Sequence, residues 1–497
     1  MTVTLPLWLF LPLAAFAALS LLRLALVPSV RWFFRARAER FLANLNARLK
    51  RPIQPLRLLD RNDMIVRLVH DPKVMQVVTD HAAEKGIPLL VAVEEARAYA
   101  REIVPGFSAL VYFGFAVGLA RRLSRLFYDI HAERVDQALE GVDPKATVVF
   151  VMNHRSNMDY VLVTWLVAGQ SSLSYAVGEW ARVWPLSWLF RAMGGYFIRR
   201  GGRNALYRRV LARYVQISAA EGATQAMFPE GGLSLDGRVG RAKLGLLNYL
   251  LAGQAENGGD VVFIPVGIAY DRVLEDRVLT GAAAKGQGDR PAGDRHFRIR
   301  PLAMLGFALR SLWQVIWRRF PGFGRAGVAF GPALSLAEFR MRVGDDPQAL
   351  AEALMERIGA VVPLLPVPLV AAALVQGAQT RPQILQAVQD IMAALQAPDP
   401  ATEALANKAL RRLILRKIVV EKGDRLSVPD TKKPLLHFYA AGVRQRQETL
   451  GKVRGSENVD QIKQDDDGNR NADQPSGDAF HGNLVQTVNG PLGPVAE

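Results

Sequence analysis

Two hydrophobic patterns alternate through the middle of the chain. Short apolar runs rich in β-branched residues, at Thr147–Met152, Ser174–Val177, Tyr196–Ile198, Gln225–Phe228 and Val261–Ile268, read as buried strands. Longer mixed stretches between them, such as Arg203–Glu221 and Lys243–Gln254, read as helices. Val328–Pro332 adds one more strand and turn. Alternation of this kind predicts an α/β fold, a mixed or mostly parallel sheet with flanking helices. Such sheets bring the loops at the strands' carboxyl ends into one crevice.

The flanks differ. Leu5–Leu22 is apolar and uncharged, and Arg23, Arg31, Arg35, Arg37 and Arg40 follow it. Its length suits a membrane span. No Lys or Arg precedes it, as one would in a cleaved signal peptide, so it reads as an uncleaved anchor with its arginines on the cytoplasmic side. Pro105–Ala120 is a shorter apolar run that suits a re-entrant, interfacial or buried helix. Gly281–Gly293 reads as a loop, and Leu302–Trp317 as an amphipathic surface helix. The expected organisation is an anchor over 1–30, a helical membrane-proximal region over 31–144 and an α/β domain over 145–340. A helical region over 341–450 and a disordered acidic tail over 451–497 complete it.

Composition narrows the chemistry. The chain has no cysteine, which excludes disulfides, thiolate metal sites and thiol catalysis. Its formal net charge is +16 although the tail is acidic, so the body requires anionic partners such as lipid headgroups or phosphorylated substrates. A dense basic patch with interleaved aromatics, the mark of a nucleic-acid binder, is not found. His154 and Asp159 lack the further ligands of a zinc site, and no glycine motif for a nucleotide appears; no cofactor or metal is expected.

The polar cluster after the first central strand carries the candidate chemistry. In Asn153-His-Arg-Ser-Asn-Met-Asp159, a histidine stands at the strand's end with a carboxylate five positions on. The carboxylate can take the hydrogen bond of one ring nitrogen and leave the other to accept a proton. Gly194-Gly-Tyr-Phe-Ile-Arg-Arg200, Phe228-Pro-Glu-Gly231 and Ile264-Pro-Val266 follow in order.

These four blocks together resemble the glycerolipid acyltransferase superfamily (His-x4-Asp), and their wording is most similar to the bacterial glycerol-3-phosphate and dihydroxyacetone-phosphate 1-O-acyltransferases. The resemblance covers about residues 145 to 275, and more weakly reaches Leu435–Tyr439. It implies an acyltransferase that moves a fatty acyl group from acyl-CoA or acyl-carrier protein to the sn-1 hydroxyl of glycerol 3-phosphate, the first step of phospholipid synthesis. His154 would be the base and Asp159 its orienter. Arg199 and Arg200 would bind phosphate, and Glu230 and Gly231 would organise the acceptor pocket. The enzyme would work on the cytoplasmic face of a bacterial inner membrane, in contact with membrane phospholipids.

One departure bears on the acceptor. Close relatives read Glu-Gly-x-Arg-Ser-Arg where this chain reads Glu230-Gly-Gly-Leu-Ser-Leu235. Arg238 and Lys243 follow and could supply the missing charge. The alternative is another acceptor: dihydroxyacetone phosphate, lysophosphatidate, another lysolipid or an alcohol without phosphate.

Overall fold

A computed structural model describes residues 39–450 except 59, 200–203, 258, 285–321 and 398–402, together with positions 6, 11, 12, 14–17 and 37. The expected anchor over 1–30 therefore lies almost wholly outside the described residues, as do Arg200, the expected helix Leu302–Trp317 and the acidic tail. Residues up to Arg446 form one compact unit; of the second unit, 447–497, only 447–450 are described, and they are helical.

Eight strands build the main sheet: β1 (Asp129–Glu133), β2 (Thr147–Met152), β3 (Ser174–Val177), β4 (Gly195–Phe197), β5 (Gln225–Met227), β6 (Val261–Tyr270), β7 (Arg325–Phe330) and β8 (Leu334–Ser335). Their order is β1-β7-β6-β2-β5-β3-β4, with β8 also paired to β6. Strands β6, β2, β5, β3 and β4 run parallel, while β7 and β8 lie antiparallel to β6. Strands β2 and β6 are buried at every position. That is why they read as unbroken apolar runs: helices cover both faces of a parallel sheet.

Pro265 lies inside β6 without breaking it. The strand passes through it to Tyr270. On one side β6 pairs with β8 at Val262 and Phe263, and with β7 only from Val266. The Pro265 carbonyl accepts from the Gly331 N–H at 2.8 Å. The missing proline N–H thus faces the interval between two short partners, where no ladder bond is lost.

Successive residues of a strand face opposite sides. On one side Val149, Val151, Met227 and Phe263 meet helices Ala205–Ala220, Leu244–Asn257 and Pro347–Val361. Helices Arg61–Val69, Pro72–Lys85 and Leu89–Ile103 add Leu68, Val78, Ala96 and Ala100 to the same core. On the other side Phe150 meets Phe330 edge to face. The run Pro105–Ala120 becomes a π-helical turn, Leu110–Ala116, continued by the helix Val117–Phe127. This element packs against the helix Met158–Val167.

Among the described residues no single helix is long and apolar enough to cross a membrane. The pair Pro347–Val361 and Pro366–Val375, bent by 97°, passes that test together, but eight of the ten residues of the second helix are buried. The stretch expected as a loop from Gly281 begins inside a helix, Asp276–Ala284. Beyond it, helices dominate residues 347–446, with one small hairpin, β9 (Val420–Lys422) and β10 (Arg425–Ser427).

Candidate active site

Strand β2 ends at Met152, but its ladder gains one more rung. The Asn153 side-chain amide donates to the Ile268 carbonyl at 2.9 Å and accepts from the Ile268 N–H at 2.8 Å. This buried amide replaces a backbone pair and turns the chain so that His154 leaves the sheet between β6 and β5. Asp159 lies in the first turn of the helix Met158–Val167, where a negative charge is favoured by the exposed N–H groups.

His154 and Asp159 are both buried, and the ring Nδ1 lies 2.9 Å from Asp159 Oδ2. The same oxygen accepts the backbone N–H of Arg155 at 2.7 Å and of Ser156 at 3.0 Å. Oδ1 accepts the Tyr270 hydroxyl at 2.7 Å. A carboxylate held by four donors cannot swing, and it fixes the imidazole proton on Nδ1. Nε2 has no hydrogen-bond partner among the described residues. The ring stacks on Phe228 at 4.0 Å between centroids and meets the edge of Tyr160 at 5.5 Å. Its orientation is therefore set on three sides.

Glu230 follows β5 and braces the histidine through its backbone. Its Oε1 accepts the His154 N–H at 2.9 Å and its Oε2 the Gly240 N–H at 3.1 Å. The His154 carbonyl in turn accepts the Ser234 N–H at 2.9 Å. Burial pushes the Glu230 carboxyl above its usual value, against the opposing pull of those two N–H groups and of His154 and Arg155. Gly231 adopts a positive φ of 67°, and a Cβ there would meet the Lys243 side chain at 2.9 Å. The positive φ is what favours glycine here, since the lysine side chain can shift. Arg238 lies in the turn built by Ser234 and Asp236, whose carboxylate accepts the Arg238 N–H at 2.9 Å. Glu230, Gly231, Arg238 and Lys243 thus gather beside the His154–Asp159 pair.

Arg199 stands apart from them. It follows the edge strand β4, three strand spacings from β2, about 14 Å along the sheet. Its guanidinium grips the Glu102 carboxylate through Nε at 2.9 and 3.1 Å and Nη2 at 2.6 Å. It also lies over the rings of Tyr99 and Tyr207. Arg182 pairs with the same carboxylate. Burial alone would raise the Glu102 carboxyl, but the bonds and charges of Arg199 and Arg182 outweigh it and hold it low.

Tyr270 and Glu275 were not singled out from the sequence, whereas Arg155 belongs to the polar cluster read there and Tyr439 ends the weaker stretch of resemblance. Tyr270 ends β6, and its position just past an apolar run is the signal that marked His154 and Glu230. Glu275 ties the other side of the turn: it accepts from Ser156 Oγ at 2.8 Å and from Asn157 Nδ2 at 3.0 Å. Arg155 is buried and donates to the Gly237 carbonyl, with its guanidinium over Phe438. It joins the site to the helical segment 433–446. Tyr439, in that segment, donates to Asp276 and accepts the Val273 N–H at 3.2 Å.

Chemically, the arrangement offers an oriented base at the mouth of a parallel sheet, flanked by cations. Nε2 can take a proton from a bound hydroxyl. Among the described residues no group of His, Asp and Glu could hold a metal ion.

Comparison with known proteins bears out the resemblance read from the four blocks. Residues 132–269 match the family model described as Acyltransferase. A glycerol-3-phosphate acyltransferase of Pseudomonas entomophila is 28% identical over 283 residues, which cover 56% of this chain and 32% of that protein. One of Aeromonas hydrophila is 31% identical over 293 residues, covering 57% and 34%. The chain thus spans about a third of the length of these curated relatives. Among solved structures, the 1-acyl-sn-glycerophosphate (LPA) acyltransferase PlsC of Thermotoga maritima aligns with a TM-score of 0.27 and 20% identity, over 49% of this chain and 79% of that chain.

Proposed function

From the match of residues 132–269 to the acyltransferase family, we propose that the chain transfers a fatty acyl group from acyl-CoA or acyl-carrier protein to the sn-1 hydroxyl of glycerol 3-phosphate. The observation that carries the reading is the buried His154–Asp159 pair, with Nδ1 committed to the carboxylate and Nε2 without a partner among the described residues. The acceptor hydroxyl gives its proton to Nε2 as its oxygen attacks the thioester carbon. The tetrahedral intermediate expels the thiolate, and the imidazolium returns the proton to that sulfur. The ester forms, the thioester breaks, and no acyl-enzyme is needed. Asp159 stabilises the transient imidazolium, while Tyr270 and the two backbone N–H groups keep it from accepting the proton itself.

Arg238 and Lys243, on the turn that follows Glu230, are taken to meet the acceptor phosphate, a role that the resemblance also gives Arg200, which lies outside the described residues. Arg199 is already committed to Glu102 through Nε and Nη2. The names of the relatives support glycerol 3-phosphate as acceptor. One observation favours a second reading, a lysolipid or dihydroxyacetone phosphate: Leu233 and Leu235 occupy positions where the resemblance leads one to expect arginines. Membrane location, with the site on the cytoplasmic side of a bacterial inner membrane, belongs to the same proposal.

The test offers purified protein each acceptor in turn with a long-chain acyl-CoA and with acyl-carrier protein. Arg238→Ala and Lys243→Ala should raise KM for glycerol 3-phosphate and leave kcat near wild type. Turnover of a lysolipid alone would keep the chemistry and replace the acceptor.

A further inference from the structure

Two neighbouring elements expose large apolar side chains that no described residue covers. The segment between β3 and the helix Leu186–Ala192 presents Trp184 at 80% exposure with Val183 beside it, and the helix itself presents Trp188 at 56%. The π-helical turn Leu110–Ala116 presents Leu110 at 65% and Phe115 at 54%. The two elements lie side by side: Leu189 and Met193 pack on Tyr112 and Ala116, and the Ser108 N–H donates to the Ala192 carbonyl at 2.9 Å. With Tyr112 and Ala116 turned inward, the outer side of both elements forms one apolar face.

That face is bordered by unpaired positive charge. Arg121, Arg122 and Arg125 are exposed one to three turns further along the same helix. None has an acidic partner among the described residues, and Arg125 merely overlies Trp165. Tryptophan and phenylalanine beside exposed arginines is the composition of a segment seated at the headgroup level of a bilayer. A protein partner would satisfy the apolar part, but three uncompensated arginines at its edge call for a surface dense in negative charge.

We propose that the outer face of residues 110–125 together with Val183–Trp188 docks on an anionic bilayer, the aromatics at the interface and the arginines among the headgroups. The face also leads to the catalytic pair. Phe190 touches Tyr160 at 6.1 Å between centroids, Tyr160 touches Phe228 at 4.8 Å, and Phe228 stacks on His154. On the acyltransferase reading, this aromatic row joins the lipid surface to the site where the acyl chain is handled; the docking surface itself stands without that reading.

The chain has no cysteine, so one introduced cysteine carries a unique nitroxide. Full-length Trp188→Cys and Phe115→Cys are labelled and mixed with phosphatidylglycerol or phosphatidylcholine vesicles. Gln389→Cys, on the helix Arg381–Ala394, is the control. Accessibility to oxygen and to a water-soluble nickel chelate is then read. The expected result is lipid-depth readings at both test sites with phosphatidylglycerol, and water-exposed readings at the control. Combined Arg121→Glu, Arg122→Glu and Arg125→Glu should shift the docked-to-undocked ratio by at least about fivefold per arginine, on the order of 10²-fold in all. Unchanged melting of the labelled proteins shows that they are folded. Labels that stay in water on the vesicles would overturn the proposal. So would labels already shielded without vesicles, which would mean that the face is covered by another part of the chain or by a second copy.

Discussion

Glutamine at position 230 separates two roles for the glutamate. The structure spends both carboxylate oxygens on backbone N–H groups, of His154 at 2.9 Å and Gly240 at 3.1 Å. Glutamine keeps one acceptor oxygen and turns an NH2 group toward the other N–H, so one bond is lost and two donors face each other. A buried charge-assisted bond of this kind is worth about 1.5–3 kcal/mol. Part of that loss is offset. Burial raises the Glu230 carboxyl above its usual 4.5, so the stability its neutral form contributes is full below 4.5 and lost as pH rises through the raised value. At neutral pH the wild type carries that cost, and glutamine does not. The net effect of Glu230→Gln is a destabilisation of about 1–2 kcal/mol, or a melting-temperature fall of roughly 2–4 °C. The larger effect should be on kcat, because the loosened N–H is that of the base: a displacement of His154 by about 1 Å costs on the order of 10²-fold. Calorimetry and steady-state kinetics measure both. Unchanged melting and kcat, with KM for the acceptor raised, would refute the brace and make Glu230 a substrate ligand.

Other consequences are equally open to measurement. Tyr270→Phe removes one donor from Asp159 without changing shape, and should lower kcat while leaving KM for the acceptor unchanged. Glu102→Gln tests the Arg182–Arg199 cluster. Because those arginines hold the Glu102 carboxyl low, its stabilisation is present above 4.5 and lost as pH falls through the depressed value. The melting difference between wild type and variant should therefore be largest near neutrality and shrink in acid. Gly237→Ala combines a φ of +85° with a Cβ that would overlap the Phe438 carbonyl. It should destabilise the fold by several kcal/mol, on the order of a core disruption, and lower soluble yield.

The central sheet was legible because its strands are buried on both faces. Thr147–Met152 and Ser174–Val177 are read with their observed ends, since a parallel core strand has no polar alternation to blur them. Strand β1, Asp129–Glu133, was not legible: it is exposed at four of five positions and pairs only at the sheet's edge with β7. His154 and Asp159 lie five residues apart, so a local motif suffices to predict their contact. The brace from Glu230 and the hydroxyl from Tyr270 come from 76 and 111 positions away, and only strand order brings them in. Arg199 illustrates the opposite limit. Its residue type suits phosphate, yet its structural partner, Glu102, lies 97 positions earlier in a helix with no motif.

The proposed role of His154, oriented by Asp159, is to take the proton of an acceptor hydroxyl during acyl transfer. Radiolabelled glycerol 3-phosphate and long-chain acyl-CoA, incubated with wild type, His154→Ala and Asp159→Asn of equal melting temperature, test it directly. The expected result is labelled lysophosphatidate from the wild type and a loss of about 10²–10⁴-fold in His154→Ala, with KM little changed. Equal turnover by wild type and His154→Ala would contradict it.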